Sequence, residues 1–321
     1  MPAPLPLAVT IGDPAGVGPE IILEAWSRRD ELRLPPFLVC GSPRVLHEAA
    51  RGLGIAFPDN LIVDAGVDAA YTPGEPKRDG AALARAALSQ ALDMVQSGEA
   101  AGVVTAPVSK AAIYGVDDTF VGQTEFCADA CGAPRNSAVM MLAGPSLRTV
   151  PMTVHCALAE VPARITHELI VERTRIVARA MKTDYGIESP RIALAGLNPH
   201  AGEDGRMGRE EIEIIAPAIV QLRSEGIDAT GPHPADTLFA PHKRETYDVA
   251  IAMYHDQALV PLKTLDFDEG VNVTLGLPVV RTSPDHGTAF DIAGKGIARP
   301  NAMIAAIRMA GEIAARRASL G

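Results

Sequence analysis

The chain has 321 residues, 47% of them hydrophobic and 21% charged, enough to bury one large α/β unit or two domains. With 29 basic and 39 acidic residues the net charge is −10, and aromatics make up 4%. That balance argues against nucleic acid, stacked bases or an anionic membrane as partner, and against disorder. Cys40, Cys127, Cys131 and Cys156 are too irregularly spaced for a disulfide scaffold or a local zinc motif, which points to a reducing compartment. The opening MPAPLPLAVT lacks the basic and apolar parts of a signal peptide. No apolar run approaches the ~20 residues of a membrane span. A cytoplasmic protein is expected.

In chain order, strand-like apolar runs fall at Leu7–Ile11, Phe37–Cys40, Leu61–Val63, Gly102–Thr105, Thr149–Val154, Ile192–Leu197, Asp248–Met253 and Gly270–Leu275. Helix-period segments lie between them. Leu83, Ala87, Leu88, Ala91, Leu92 and Val95 share a face after Asp79, a candidate N-cap. Leu169, Arg173, Ile176, Val177, Ala180 and Met181 trace a second stripe, Ile212, Ile215, Ile219 and Leu222 a third, and Met303 to Ala315 a fourth. This alternation predicts an α/β chain of parallel strands joined by right-handed helical crossovers. No repeat, low-complexity segment or Gly/Ser linker marks a domain boundary. The 29 glycines and 26 prolines cluster in loops after strands, where open α/β sheets bind ligands.

Those loops hold the candidate chemistry. Gly12 to Glu20 runs from a strand towards a helix and can present backbone N–H groups to an anion. It matches neither dinucleotide nor P-loop glycine patterns, so a tight turn with Pro19 opening the helix is the plainer reading. His155, His200 and His255 each follow a predicted strand end. One such histidine is more often a hydrogen-bonded loop or core residue. Three in equivalent positions suggest a divalent metal site formed by tertiary convergence, with a coordination position open to substrate. His47 and His167 fall on helix surfaces and His242 in a polar loop, without assigned roles. Lys263, Asn272 and Arg281, nine residues apart, suit a phosphorylated, carboxylate-bearing substrate, although most such cations are solvated surface. The glycine-rich stretch from Asp285 to Asn301 can be a ligand loop for an adenine ring or a simple cap before the last helix.

Longer blocks carry a resemblance. GDPAGVGPE at 12–20, TAPVSK at 105–110, GQTEF at 122–126, GLNPHAGE at 196–203, PADTLF at 234–239, YDVAIAMYHDQ at 247–257 and GVNVTLGLPVVRTSPDHGTAFDIAGKG at 270–296 occur in one order along nearly the whole chain. In this the chain resembles the 4-hydroxythreonine-4-phosphate dehydrogenase family of pyridoxal phosphate biosynthesis. The 12–20 loop and the His-Gly-Thr-Ala segment are also similar to loops of isocitrate and isopropylmalate dehydrogenases, which do not use the dinucleotide glycine fingerprint.

The resemblance implies two α/β/α domains with a cleft between them, one formed by residues 1–118 plus 287–321 and the other by 119–286. It implies a homodimer whose active site draws on both subunits, with NAD or NADP and one divalent ion (Zn, Mg or Co) as cofactors. His155, His200 and His255 match metal ligands. Thr124, Lys263, Asn272 and Arg281 match substrate-binding positions, with Gln123 where the family has histidine in a G-H-T-E block. Glutamine donates a hydrogen bond but cannot become cationic. His286, Gly287, Thr288, Ala289 and Asn301 match adenine-side positions of the wider dehydrogenases. Asp236 and Thr237 lie in a family block without a defined role.

The implied reaction is metal-assisted oxidation of the C3 hydroxyl of 4-phosphooxy-L-threonine, then decarboxylation, with Lys263 a candidate general base. Related dehydrogenases of erythronate or threonate 4-phosphate, or of a cyclic dihydrodiol dicarboxylate, remain alternatives that Gln123 keeps open. From other classes, a three-histidine metal beside a phosphate site also suits a hydrolase, or a regulatory protein that binds without turnover.

Overall fold

The computed structural model describes residues 4–320. Eleven strands alternate with helices: β1 (Leu7–Thr10), β2 (Phe37–Gly41), β3 (Ile62–Asp64), β4 (Val103–Thr105), β5 (Val139–Ala143), β6 (Arg148–Pro151), β7 (Arg191–Ala195), β8 (Asp228–His233), β9 (Val249–Ala252), β10 (Val271–Leu275) and β11 (Arg281–Pro284). Two compact units divide them. One takes the described residues up to Ala138 together with Leu277–Ala315; the other takes Val139–Gly276 and the chain from Arg316.

The first unit orders its strands β3-β2-β1-β4-β11, every neighbouring pair parallel. Residues Leu7, Ala8, Val9 and Thr10 are all buried, as a parallel strand covered on both faces requires. Helix Pro43–Leu53 starts where the Ser42 hydroxyl accepts from Val45 N and stops at Gly54 in the left-handed region. Helix Arg78–Gln96 packs over β1 and β2. Its N-cap is Lys77, not Asp79. The Asp79 carboxylate sits in the first turn, two residues past the cap, where it accepts from Ala70 N at 3.2 Å.

The expected boundaries at 118/119 and 286/287 differ from those of the compact units for an identifiable reason. Helix Gln123–Ala130 packs on helix Arg78–Gln96. Gln96 Nε2 donates to Ala130 O at 2.7 Å, and the Arg85 guanidinium lies 4.0 Å over the Phe126 ring. At the other end, β11 pairs with β4 through Arg281 and Thr282.

The second unit orders its strands β10-β5-β6-β9-β7-β8. Here the expectation of parallel strands throughout is corrected, because β5 runs antiparallel to both neighbours. A short turn joins β5 to β6, closed by Gly144 N donating to Leu147 O at 2.9 Å, and so short a link permits only the antiparallel hairpin. Its core gathers Leu142, Leu147, Leu238, Tyr247, Leu259 and Leu262. The buried Tyr247 hydroxyl, pushed up to about 12 by burial, donates to Leu238 O at 3.1 Å.

Helix His167–Thr183 is capped by Thr166. It buries Ile170, Val171, Thr174, Val177 and Met181, leaving Leu169, Arg173 and Ile176 half-buried at the edge of the predicted stripe. Near the chain end, Arg317 grips the fully buried Asp184 carboxylate with Nε at 2.7 Å and Nη2 at 2.9 Å. His242 opens no loop but sits in the short helix Pro241–Arg244. No described helix is long and apolar enough to cross a membrane.

Candidate active site

In the second unit, hydrogen bonds lace together the segments just beyond three neighbouring strands. After β6, Thr153 donates to Met253 O from its backbone N at 3.2 Å and from Oγ1 at 2.9 Å. Met253, just after β9, donates its N–H to Gln257 Oε1 at 2.6 Å. Gln257 Nε2 donates to Gly196 O, just after β7, at 2.9 Å. Gly196 N completes the row by donating to His233 O at 2.8 Å. His155 lies two residues past Thr153, His255 two past Met253, and His200 four past Gly196, so this lacing governs where all three histidine segments begin.

It brings two of the three imidazoles together. The His155 and His255 ring centroids are 5.7 Å apart with planes tilted by 43°. His255 opens helix His255–Asp266, and its Nδ1 bonds Asp256 Oδ1 at 2.7 Å. A proton held on Nδ1 by that carboxylate leaves Nε2 as the lone pair for a metal. The pair therefore has the chemistry of a divalent-metal site. His200 is exposed and stands on a turn of left-handed backbone, and no group of three His, Cys, Asp or Glu able to hold a metal is assembled among the described residues. Beside His255 runs an open groove of about 400 Å³ lined by Asp236, Phe239, Tyr254, Asp256, Gln257 and Val260. Lys263 is half-buried farther along the same helix. Asn272, on β10, has a buried Oδ1 with no hydrogen-bond partner among the described residues.

The first unit holds a buried cation. Arg281 is 3% exposed, and its Nη2 donates to Thr105 Oγ1 at 2.7 Å and to Gln123 Oε1 at 2.9 Å. Burial pulls the guanidinium pKa down from its ordinary value. Gln123 in turn donates from Nε2 to Ala106 O at 3.3 Å, which fixes which end of the amide faces Arg281. Thr124 is half-buried on the next position of the helix.

Also in the first unit, the Gly12–Glu20 loop packs on the glycine-rich loop before the last helix. Val17 N donates to Thr288 O at 2.9 Å, and a Cβ on Gly16 would lie 2.7 Å from that oxygen. Helix Gly18–Ser27 begins with Pro19 in its first turn, the plainer of the two readings of this loop. The buried Glu20 carboxylate accepts from Gly294 N. Burial raises its pKa while the N–H groups of Gly294 and Gly296 oppose the rise. His286, Gly287, Thr288 and Ala289 follow one another on this loop, and Asn301 opens helix Asn301–Leu320. Gly287 is exposed, with open space where a side chain would be, so a flat ring can approach its backbone.

Sequence patterns missed Gln257, Thr105 and Glu211. Gln257 carries a faint signal, an amide two residues beyond a strand-end histidine. Thr105 carries another, a polar residue closing a buried strand. Glu211 is buried because residues Glu211–Ile215 form a π-turn, which rotates Ile212 outward to 46% exposure and breaks the expected Ile212 stripe.

Fold and site together define an α/β protein whose candidate side chains gather at strand ends and on the helices and loops that follow them. The model of the family "Pyridoxal phosphate biosynthetic protein PdxA" matches residues 34–310. A 4-hydroxythreonine-4-phosphate dehydrogenase of Erythrobacter litoralis is 58% identical over 98% of each chain, and that of Zymomonas mobilis is 50% identical over 97% of this chain and 96% of its own. The crystal structure of 4-hydroxythreonine-4-phosphate dehydrogenase from Klebsiella pneumoniae superposes with a TM-score of 0.83 at 34% identity, covering 97% of this chain and 98% of that one. The chain belongs to the PdxA family.

Proposed function

We propose that this chain is the 4-hydroxythreonine-4-phosphate dehydrogenase of pyridoxal phosphate biosynthesis, oxidising the C3 hydroxyl of 4-phosphooxy-L-threonine. The observation that carries the reading is full-length similarity to relatives of that activity. The paired His155 and His255 support the metal in it. NAD or NADP would supply the hydride acceptor, and His155, His200 and His255 would hold a divalent ion that would supply Lewis acidity.

The chain's own residues do the rest. Arg281 neutralises the substrate's anionic groups, and Lys263, Asn272 and Thr124 orient it by hydrogen bonds. Gln123 holds the guanidinium of Arg281 in place. Lys263 takes the proton of the C3 hydroxyl as the C3 hydride leaves, giving 2-amino-3-oxo-4-phosphooxybutanoate. The ketone then accepts the electrons of the departing carboxylate, releasing CO2 and leaving an enolate that takes a proton at C2 from solvent to give 3-amino-2-oxopropyl phosphate. His286, Gly287, Thr288, Ala289 and Asn301 receive the adenine side of the cofactor; the open backbone at Gly287 suits a flat ring. The active form in this reading is a homodimer that shares its site residues.

The test is reduced-nicotinamide absorbance on mixing protein, NAD or NADP, a divalent metal and 4-phosphooxy-L-threonine, with and without chelator. A chelator-sensitive rise is the expected result. No rise with this substrate, but turnover of erythronate or threonate 4-phosphate, would reassign the substrate. Phosphate release without reduced cofactor would replace the dehydrogenase by a hydrolase. A Lys263→Ala variant that loses only affinity and keeps kcat would remove Lys263 as the base.

A further inference from the structure

Six non-glycine residues among those described have left-handed φ, and four of them stand in one turn: His200 (51°), Ala201 (51°), Glu203 (43°) and Asp204 (54°), with Gly202 at 81° between them. L residues meet steric opposition there, so such a run persists only where its surroundings over-determine it. Two carboxylates hold the residue from which the turn departs: the Glu210 carboxylate accepts from Asn198 Nδ2 on Oε2 at 2.7 Å, and the buried Glu211 takes both Asn198 donors from beneath. Glu211, 3% exposed, accepts from Asn198 N on Oε1 at 2.7 Å and from Asn198 Nδ2 on Oε2 at 2.9 Å. Asn198 is the residue from which the turn departs, and Ala201 N donates back to its carbonyl at 3.1 Å.

The carboxylate fits because the turn is hollowed to receive it. A Cβ on Gly202 would lie 2.6 Å from Glu211 Oε2, and one on Gly196 would lie 3.1 Å from Oε1. The π-turn at Glu211–Ile215 is what delivers a charged side chain to this buried place. π-turns of this kind recur at functional sites.

We propose that Glu211 is a positioning residue for His200: its carboxylate clamps the strained turn and so sets the direction in which the imidazole is offered to a divalent cation. The proposal rests on His200 being a metal ligand under the function proposed above. Glu211 touches neither metal nor substrate; it acts through Asn198 and the turn. Groups of this kind govern metal affinity because they fix the orientation of the ligand.

The test titrates metal-free protein with Co(II) alone, reading the visible ligand-field absorption and the binding isotherm, while hydrogen exchange follows residues 198–208. In Glu211→Gln the amide accepts one Asn198 donor and turns its own NH2 towards the other. Co(II) affinity is expected to fall about tenfold or more, with an altered ligand-field band, faster exchange confined to 198–208 and unchanged NAD binding. Gly196→Ala, at a position without left-handed φ, reaches the same clamp from the opposite side by crowding Glu211 Oε1 without altering its charge, and should reproduce the loss. In a His200→Ala background Glu211→Gln should cost nothing further, because the two act through one ligand. Equal losses in both backgrounds, or unchanged affinity in both clamp variants, would overturn the proposal. If His200→Ala leaves Co(II) affinity intact while exchange at 198–208 still accelerates in Glu211→Gln, the ligand reading of His200 fails and the metal role of the clamp goes with it.

Discussion

Arg281 Nη2 and Gln123 Oε1 stand 2.9 Å apart, so Gln123 serves as a neutral acceptor for a buried guanidinium. A carboxylate in the same place would form an ion pair and cancel the charge that the proposed substrate needs. Gln123→Glu is therefore expected to raise KM for 4-phosphooxy-L-threonine about tenfold or more with a smaller change in kcat. Gln123→His places an imidazole beside Arg281, where the neighbouring cation disfavours the imidazolium. Its KM should accordingly show no new step near the ordinary histidine pKa. A KM-against-pH profile of both variants checks this.

Gln257 is the crosspiece between two strand ends. Truncating it strips the partner from Met253 N and from Gly196 O, both in buried residues. At about 1–3 kcal/mol for a buried polar group left unpaired, Gln257→Ala should lose about 2–4 kcal/mol in urea unfolding. Its divalent-metal affinity should fall as well, since the segments bearing His200 and His255 both lose their tie. A variant with full stability and full affinity would show the crosspiece to be idle.

Much of this arrangement was legible beforehand. Eight of the eleven strands coincide with apolar runs, because a strand buried on both faces has to be apolar throughout. Three strands lie outside those runs: β5, Val-Met-Met-Leu-Ala, is itself apolar and was equally legible, while the other two have reasons. β8 carries Gly231, Pro232 and His233 and is half-exposed, and β11 opens on Arg281, whose burial depends on Thr105 and Gln123 far away in sequence. The strand-end histidines were visible as a pattern, but their lacing was not, since an amide such as Gln257 gains its partners only once β7 and β9 lie side by side. The shift at Ile212 comes from the π-turn at Glu211–Ile215, which no periodicity count anticipates.

His233 supplies a pH-dependent contribution with a defined sign. Burial, aided by Lys243 and Arg223, holds its imidazole below the ordinary 6.5. The unfolded chain therefore binds more protons than the folded one just under pH 6.5. The stabilisation is complete above that value and is lost as pH falls through it towards the lower folded pKa. His233→Gln keeps a partner for Thr230 Oγ1, which now sits 2.9 Å from the ring, and removes the titration. Urea midpoints between about pH 7.5 and about pH 5.5 should fall less steeply in the variant than in the parent.

The four cysteines should separate by reactivity. Burial pushes Cys40 up to about 12 and Cys127 up to about 11, and both are fully covered. Cys131 and Cys156 are half-buried, with Cys131 also raised by burial. Iodoacetamide at mildly alkaline pH should label Cys156 first and Cys131 next, and reach Cys40 and Cys127 only on unfolding. Peptide mass mapping of a labelling time course gives the order, and early modification of Cys40 would contradict it.

The π-turn at Glu211–Ile215 also sets two demands on this chain against each other. Removing one residue from it would let the segment close as ordinary α-helix and return Ile212 to the apolar stripe, giving a smoother helix that buries more hydrocarbon. The same deletion would withdraw Glu211 from beneath the turn that carries His200. Selection for stability alone would therefore tend to repair the helix and dismantle the histidine mount, so a screen of single-residue deletions read separately for thermal tolerance and for metal retention should find the two properties moving in opposite directions at this one place.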